Sequence, residues 1–150
     1  MNRKLLLGVL VLIVVVLVWL LYPTEERRLR NDIKALRKAV ENESVETVSA
    51  YLDVQYQDNN NMTREGLIDA VGRFFAEVDS ITVQMKGLKA SIDSTTADNV
   101  IFASCSLGVR VLARYEGERV LAFGGIVKPS TVQARFRKTD GKYRVYYAEY

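Results

Sequence analysis

The chain has 150 residues, with 21 Lys and Arg against 18 Asp and Glu, no histidine and one cysteine. The net charge of +3 is no sign of a nucleic-acid surface, because setting aside Arg3 and Lys4 leaves 19 basic residues against 18 acidic. Without histidine there is no His-ligated zinc and no His general base, and a lone cysteine excludes an internal disulfide.

Leu5 to Tyr22 is an unbroken apolar run with no charge, preceded by the basic tail of residues 1–4. As a helix its 18 residues rise about 27 Å, close to the ~30 Å hydrocarbon core of a bilayer. Trp19 and Tyr22 stand at its far end, where amphipathic aromatics mark the headgroup level. A cleaved signal peptide has a shorter apolar region and a small-residue cleavage site, whereas Leu21-Tyr22-Pro23-Thr24 follows here. The run therefore reads as an uncleaved signal anchor over 5–22, making the lipid bilayer the first expected partner. The short tail points to a cytoplasmic N-terminus, a single pass and an extracytoplasmic domain, at the cell surface or in the periplasm. Residues 23–26 read as a linker and 27–150 as one domain, enough for a single core.

Arg27 to Glu41 carries Leu29, Ile33, Leu36 and Val40 at helical spacing, with Arg30, Lys34, Arg37, Lys38 and Glu41 on the opposite, solvated face. Ser44 caps a second short helix using Val45, Val48 and Leu52. Asp58-Asn59-Asn60-Asn61 is a turn; its likeness to a calcium loop fails at Met62, and no metal or cofactor is expected. Thr63 caps a third helix whose Leu67, Ile68, Val71, Phe74, Phe75 and Val78 share one wide face.

From Ser80 the period is two. Ile81, Val83 and Met85 alternate, then Leu88, Ala90 and Ile92 alternate in the opposite phase, as a β-bulge at Lys86-Gly87 would produce. Ile101 to Tyr115 forms a long strand with Ala103, Cys105, Leu107, Val109, Val111 and Ala113 on one face. Glu116-Gly117 turns it, and Val120 to Val127 is irregular or edge-like ahead of Pro129. Val132, Ala134 and Phe136 face inward, Asp140-Gly141 makes a hairpin, and Tyr143, Val145 and Tyr147 complete the last strand. Three helices followed by about four long antiparallel strands argue an α+β fold, the helices covering one face of a curved sheet to leave an open-mouthed cone.

This element order resembles the nuclear transport factor 2-like superfamily, also called SnoaL-like or cystatin-like. The segments that carry it are IKALRKAVENESVETVSAYLD, TREGLIDAVGRFFAEV running into ITVQMKGLKASID, and the closing VQARFRKTDGKYRVYYAEY. The resemblance covers Arg27 to Tyr150. It implies a cone that hosts isomerases, dehydratases and hydrolases as well as non-catalytic binding and assembly domains; the enzymes place an ionisable residue inside it.

Here the expected inward positions are apolar or aromatic, which points to binding rather than catalysis. A ligand pocket would be lined by Tyr51, Tyr56, Phe74, Phe75, Tyr115, Phe136 and Tyr147, residues that ordinary core packing would equally use. Asp53 with Tyr56, placed near the end of the second helix, is the one acid-plus-phenol combination, and Cys105 reads as a small buried hydrophobe. The expected function is a membrane-anchored, non-catalytic domain binding a protein partner or a small apolar ligand. Alternatives are a VirB8-like scaffold subunit of an envelope assembly, as a homodimer or with an envelope protein, and an anchored isomerase or hydrolase of lipophilic molecules.

Overall fold

Thr24 decides where the domain begins. Its hydroxyl accepts the backbone N–H of Arg27 at 3.3 Å, so the first domain helix starts at Glu25, two residues earlier than the apolar pattern predicts. In the computed structural model, which describes residues 3–150 with side chains from Gly8 onward, α1 spans Arg3–Leu21 and α2 spans Glu25–Glu41. Residues 1 and 2 of the expected basic tail lie outside the described residues. Every residue from Gly8 to Tyr22 is exposed. Among the described residues no single helix is long and apolar enough to cross a membrane; Gly8–Leu21 and Glu25–Glu41 satisfy length and composition only as a pair, bent by 41°.

Ser44 caps α3, Val45–Ala50, by accepting the Thr47 N–H at 3.2 Å. Here the structure departs from the sequence pattern. Leu52 does not continue the helix but opens β1, Leu52–Asp58, which runs parallel to the last strand. Tyr51, Asp53 and Tyr56 therefore leave the helix on which they were expected. The strand is short, irregular in register and paired with residues some 90 positions away, so local periodicity carries little trace of it. Thr63 caps α4, Arg64–Glu77, through the Gly66 N–H.

Five further strands follow: β2 Asp79–Thr95, β3 Ile101–Tyr115, β4 Glu118–Phe123, β5 Ser130–Thr139 and β6 Lys142–Glu149. The sheet order is β1-β6-β5-β3-β2, with β4 taking the edge of β3 beyond the point where β5 stops. The sheet is thus six-stranded and mixed rather than four-stranded and antiparallel, and the segment after Glu116-Gly117 is an edge strand as far as Phe123, with irregular chain from Gly124 to Pro129. The architecture is α+β, helices packed on a curved mixed sheet, as in nuclear transport factor 2-like proteins.

Two bulges set which side chains enter the cone. Gly87, at φ 63°, lies within the register shift between Lys86 and Lys89, and it moves Leu88, Ala90 and Ile92 onto the face of Ile81, Val83 and Met85. In β6 the pairing jumps from Arg135↔Tyr147 to Phe136↔Val145, leaving Tyr146 as the extra residue. Tyr143 and Val145 consequently face in, as does Ala148, while Tyr147 turns outward. The main core packs Leu29 and Ile33 of α2 on Ala103, Cys105 and Leu107 of β3 and on Phe136, Tyr143 and Val145. A smaller cluster gathers around Val78, Ile81 and Ala113.

Asp58 organises the loop that resembled a calcium site. Only 2% exposed, it accepts the N–H groups of Asn60 (2.8 Å) and Met62 (2.9 Å) and the Tyr150 hydroxyl (2.5 Å). Burial raises its pKa, but the bonds from Tyr150 and from the two backbone N–H groups outweigh that and hold it below the ordinary value. A depressed carboxylate contributes stability that is complete above about pH 4 and is lost as pH falls through the folded value. Tyr150→Phe should therefore cost about 1–2 kcal/mol at neutral pH, and the gap from wild type should narrow near about pH 3. Denaturant titrations at the two pH values check this; an unchanged gap would count against it.

Candidate functional site

The cone holds a half-open apolar chamber of about 270 Å³ between α2, α4 and the inner sheet face. Its lining includes Ile33, Leu36 and Val40 of α2, Leu67 of α4, and Met85, Leu107, Val109, Val111, Val132 and Phe136 of the sheet. A second apolar recess of about 260 Å³, lined by Ala70, Val71, Phe74, Phe75, Ala122 and Phe123, shares Val40 and Val111 with it. α4 packs on α3 and on the edge strand β1, and its Leu67, Ile68, Phe74 and Phe75 lie against the two core clusters, yet none of its 14 residues is buried despite its wide apolar face.

Only two of the seven expected pocket residues, Tyr56 and Phe136, line the chamber, and Phe74 and Phe75 line the adjoining recess. Tyr51 is buried at the end of α3, under the Lys142 ammonium 4.6 Å from its ring centre. Tyr115 is a correction: it has the inward parity of β3 but is 45% exposed, because the strand outruns the cluster that ends at Ala113. Tyr147 is a second correction, since the β6 bulge sends it to the outer face. There it lies beneath the Arg135 guanidinium, 5.4 Å away, beside Ser104, Ser106 and Gln133.

The acid-plus-phenol pair does not form. Asp53, 2% exposed, accepts both Nε (3.0 Å) and Nη2 (2.5 Å) of Arg137, and also the Gln55 N–H at 2.9 Å. It is a tie between β1 and β5. Tyr56 is pushed well above the ordinary phenol value by burial first, then by the charges of Asp58 and Tyr150. It stays a neutral phenol at physiological pH. No Asp or Glu lines the chamber.

Arg37 was not singled out by the sequence, where it reads as one cation of a solvated face. The structure puts it at the chamber wall, its Nε shielded from solvent and without a hydrogen-bond acceptor. The signal was its spacing: four residues after Ile33 and one after Leu36, Arg37 borders the apolar stripe rather than opposing it.

Cys105 also reaches the chamber wall. Burial pushes its thiol up to about 11, only partly countered by a backbone hydrogen bond from Ala134. Against an ordinary thiol value of 9.0, that leaves roughly a hundred-fold less thiolate at neutral pH. Iodoacetamide should accordingly label Cys105 far more slowly in the folded protein than in denaturant, and equal rates would contradict its placement.

No family model matches the sequence, and no curated protein does either. Solved structures share the fold at low identity. A protein of Novosphingobium aromaticivorans provisionally named a scytalone dehydratase is 13% identical, with a TM-score of 0.65 over 83% of this chain and 81% of its own. A provisionally named dehydratase of the NTF2-like family from Streptomyces avermitilis is 12% identical, with a TM-score of 0.63 over 81% of this chain and 92% of its own. The helical cell shape determining protein Pgp2 of Campylobacter jejuni is 12% identical, with a TM-score of 0.61 over 78% of this chain. This chain spans only 37% of Pgp2's length. At these identities the likeness establishes the nuclear transport factor 2-like fold and nothing finer.

Proposed function

We propose that this chain is a membrane-anchored binding protein whose cone holds a small apolar ligand and catalyses no reaction on it. The observation that carries this reading is the chamber itself: a 270 Å³ space with an almost wholly apolar wall and no carboxylate. Pockets that bind small molecules combine such walls with a few placed polar groups. Proton-transfer catalysis needs a group whose pKa is matched to working pH. The thiol and phenol here are both pushed away from it. The dehydratase names of two neighbours favour an enzyme, but the residues lining this chamber do not supply its chemistry.

The anchor belongs to the same proposal. Residues 5–22 would span the bilayer with the N-terminus cytoplasmic and the domain outside, and the uniform exposure of Gly8 to Tyr22 supports this. Three residues then separate α1 from α2, so the domain would sit against the headgroups.

Full-length protein in lipid nanodiscs should broaden and shift the ¹⁹F signal of 1-fluoronaphthalene beyond the effect of empty nanodiscs. Val111→Trp, which fills the space shared by both recesses, should abolish that difference. Carbonate washing should leave the chain in the membrane pellet. Equal signals with and without protein would remove the ligand reading, and carbonate release would remove the anchor.

A scaffold role is the second reading, favoured by Ile126 and Val127. These are 86% and 95% exposed on a loop whose Gly125 and Ile126 carbonyls accept from Arg110. Gly124, at φ 92°, lets the loop lie close to β3, where a Cβ would stand only 2.6 Å from the Val109 carbonyl oxygen and collide with it. A photocrosslinker at position 127 in intact membranes would capture a second copy or an envelope protein under this reading, and neither under the first.

A further inference from the structure

We infer that the chamber is built for an amphiphile with a single negative charge, an apolar carboxylate whose head group is received by Arg37. This rests on the ligand-binding reading above and names the class of ligand.

Arg37 is the one charged residue among those lining the chamber. Its side chain is 37% exposed, so it stands at the rim, half in solvent and half over the apolar wall. Its Nε points where water does not reach and no acceptor lies within hydrogen-bond distance. The nearest carboxylate oxygen is Glu41 Oε2 at 3.7 Å, near enough to be an ion pair but too far for a hydrogen bond. Glu41 cannot close that gap freely, because its other oxygen accepts the Val83 N–H at 3.0 Å and moors it to β2. Nε is thus sealed beside Glu41, and the terminal nitrogens of this half-exposed guanidinium, which make no hydrogen bond to the described residues, are left at the chamber rim.

An incoming carboxylate would pair with the two terminal nitrogens, whose planar fork suits its two oxygens. A neutral hydrocarbon would fill the wall and leave the terminal nitrogens to solvent. A dianionic phosphate would bring two charges to an apolar site whose one cation already has Glu41 beside it, at a large desolvation cost. The volume sets the tail. A space of about 270 Å³ open at one side admits an eight-carbon chain. The Tyr56 hydroxyl, the remaining strong donor among the lining side chains, stays protonated and accommodates a neutral tail rather than a second charge.

The test uses the full chain in nanodiscs of uncharged lipid, titrated with octanoate and with octanol by ligand-detected NMR. Wild type should bind octanoate more tightly than octanol. Arg37→Gln should weaken octanoate by about tenfold or more and leave octanol unchanged. Arg37→Lys, which keeps the charge, should retain octanoate binding within a few-fold. Octanol binding to wild type together with equal effects of Arg37→Gln on both ligands would overturn the charge assignment while leaving the chamber reading intact. If neither ligand distinguishes wild type from Val111→Trp, the chamber reading itself fails, and this inference with it.

Discussion

Tyr143 is the point on which the domain is assembled. It has no exposed surface, and α2 holds it twice: Asp32 accepts its backbone N–H at 2.9 Å, and Glu25 accepts its hydroxyl at 2.8 Å. Glu25 also accepts from the Lys138 ammonium at 2.8 Å, so one carboxylate binds both strands of the β5–β6 hairpin. A phenol this deeply buried requires such a partner. Burial raises the Glu25 pKa, the Lys138 and Tyr143 bonds outweigh it, and the carboxylate remains ionised. With its first turn clamped, α2 must lay Leu29 and Ile33 into the core. Arg37 then arrives at the chamber rim by helical geometry alone. The same turn follows the apolar helix after three residues, so the hairpin is tied mechanically to whatever holds α1.

The chamber follows from what does not pack. Close-packed interiors leave few voids larger than a water molecule, yet α4 keeps its apolar face over an unfilled space. Its docking on α3 and the edge strand β1 brings Leu67, Ile68, Phe74 and Phe75 against the core without burying them. Two glycines, Gly66 and Gly72, lower its own helix propensity, which makes α4 dependent on contacts it makes only in part. A ligand filling the recesses would supply the missing contacts, coupling occupancy to the order of α4.

Much of the fold was legible in the sequence because its signals are local. The Ser44 and Thr63 caps, the switch of period at Ser80, the Gly87 bulge and the Asp140-Gly141 turn each sit within a few residues of the chain. What escaped was non-local. β1 exists because β6 offers it an edge, and its seven residues carry two buried carboxylates, Asp53 and Asp58, that break any apolar alternation. The site was read less well for the same reason. The β6 bulge has no glycine to announce it, so Tyr147 appeared to face inward by parity, and Tyr115 was assigned a cover that the helices do not provide. Arg37 looked solvated because a helix wheel does not reveal how far the apolar contact of α2 extends around its circumference. Phe136 and Tyr56 were recoverable as buried aromatics, but not as neighbours of one chamber.

The account depends on the chamber being a real and accessible space rather than one that closes when α4 settles. Diffraction from crystals of the full-length protein pressurised with xenon measures this directly, since apolar cavities of this size take up the gas. The account predicts xenon between Leu67, Leu107 and Val111, with α4 in place. Density for Leu67 and Phe74 collapsed onto Val109 and Val111, with no xenon bound, would contradict it.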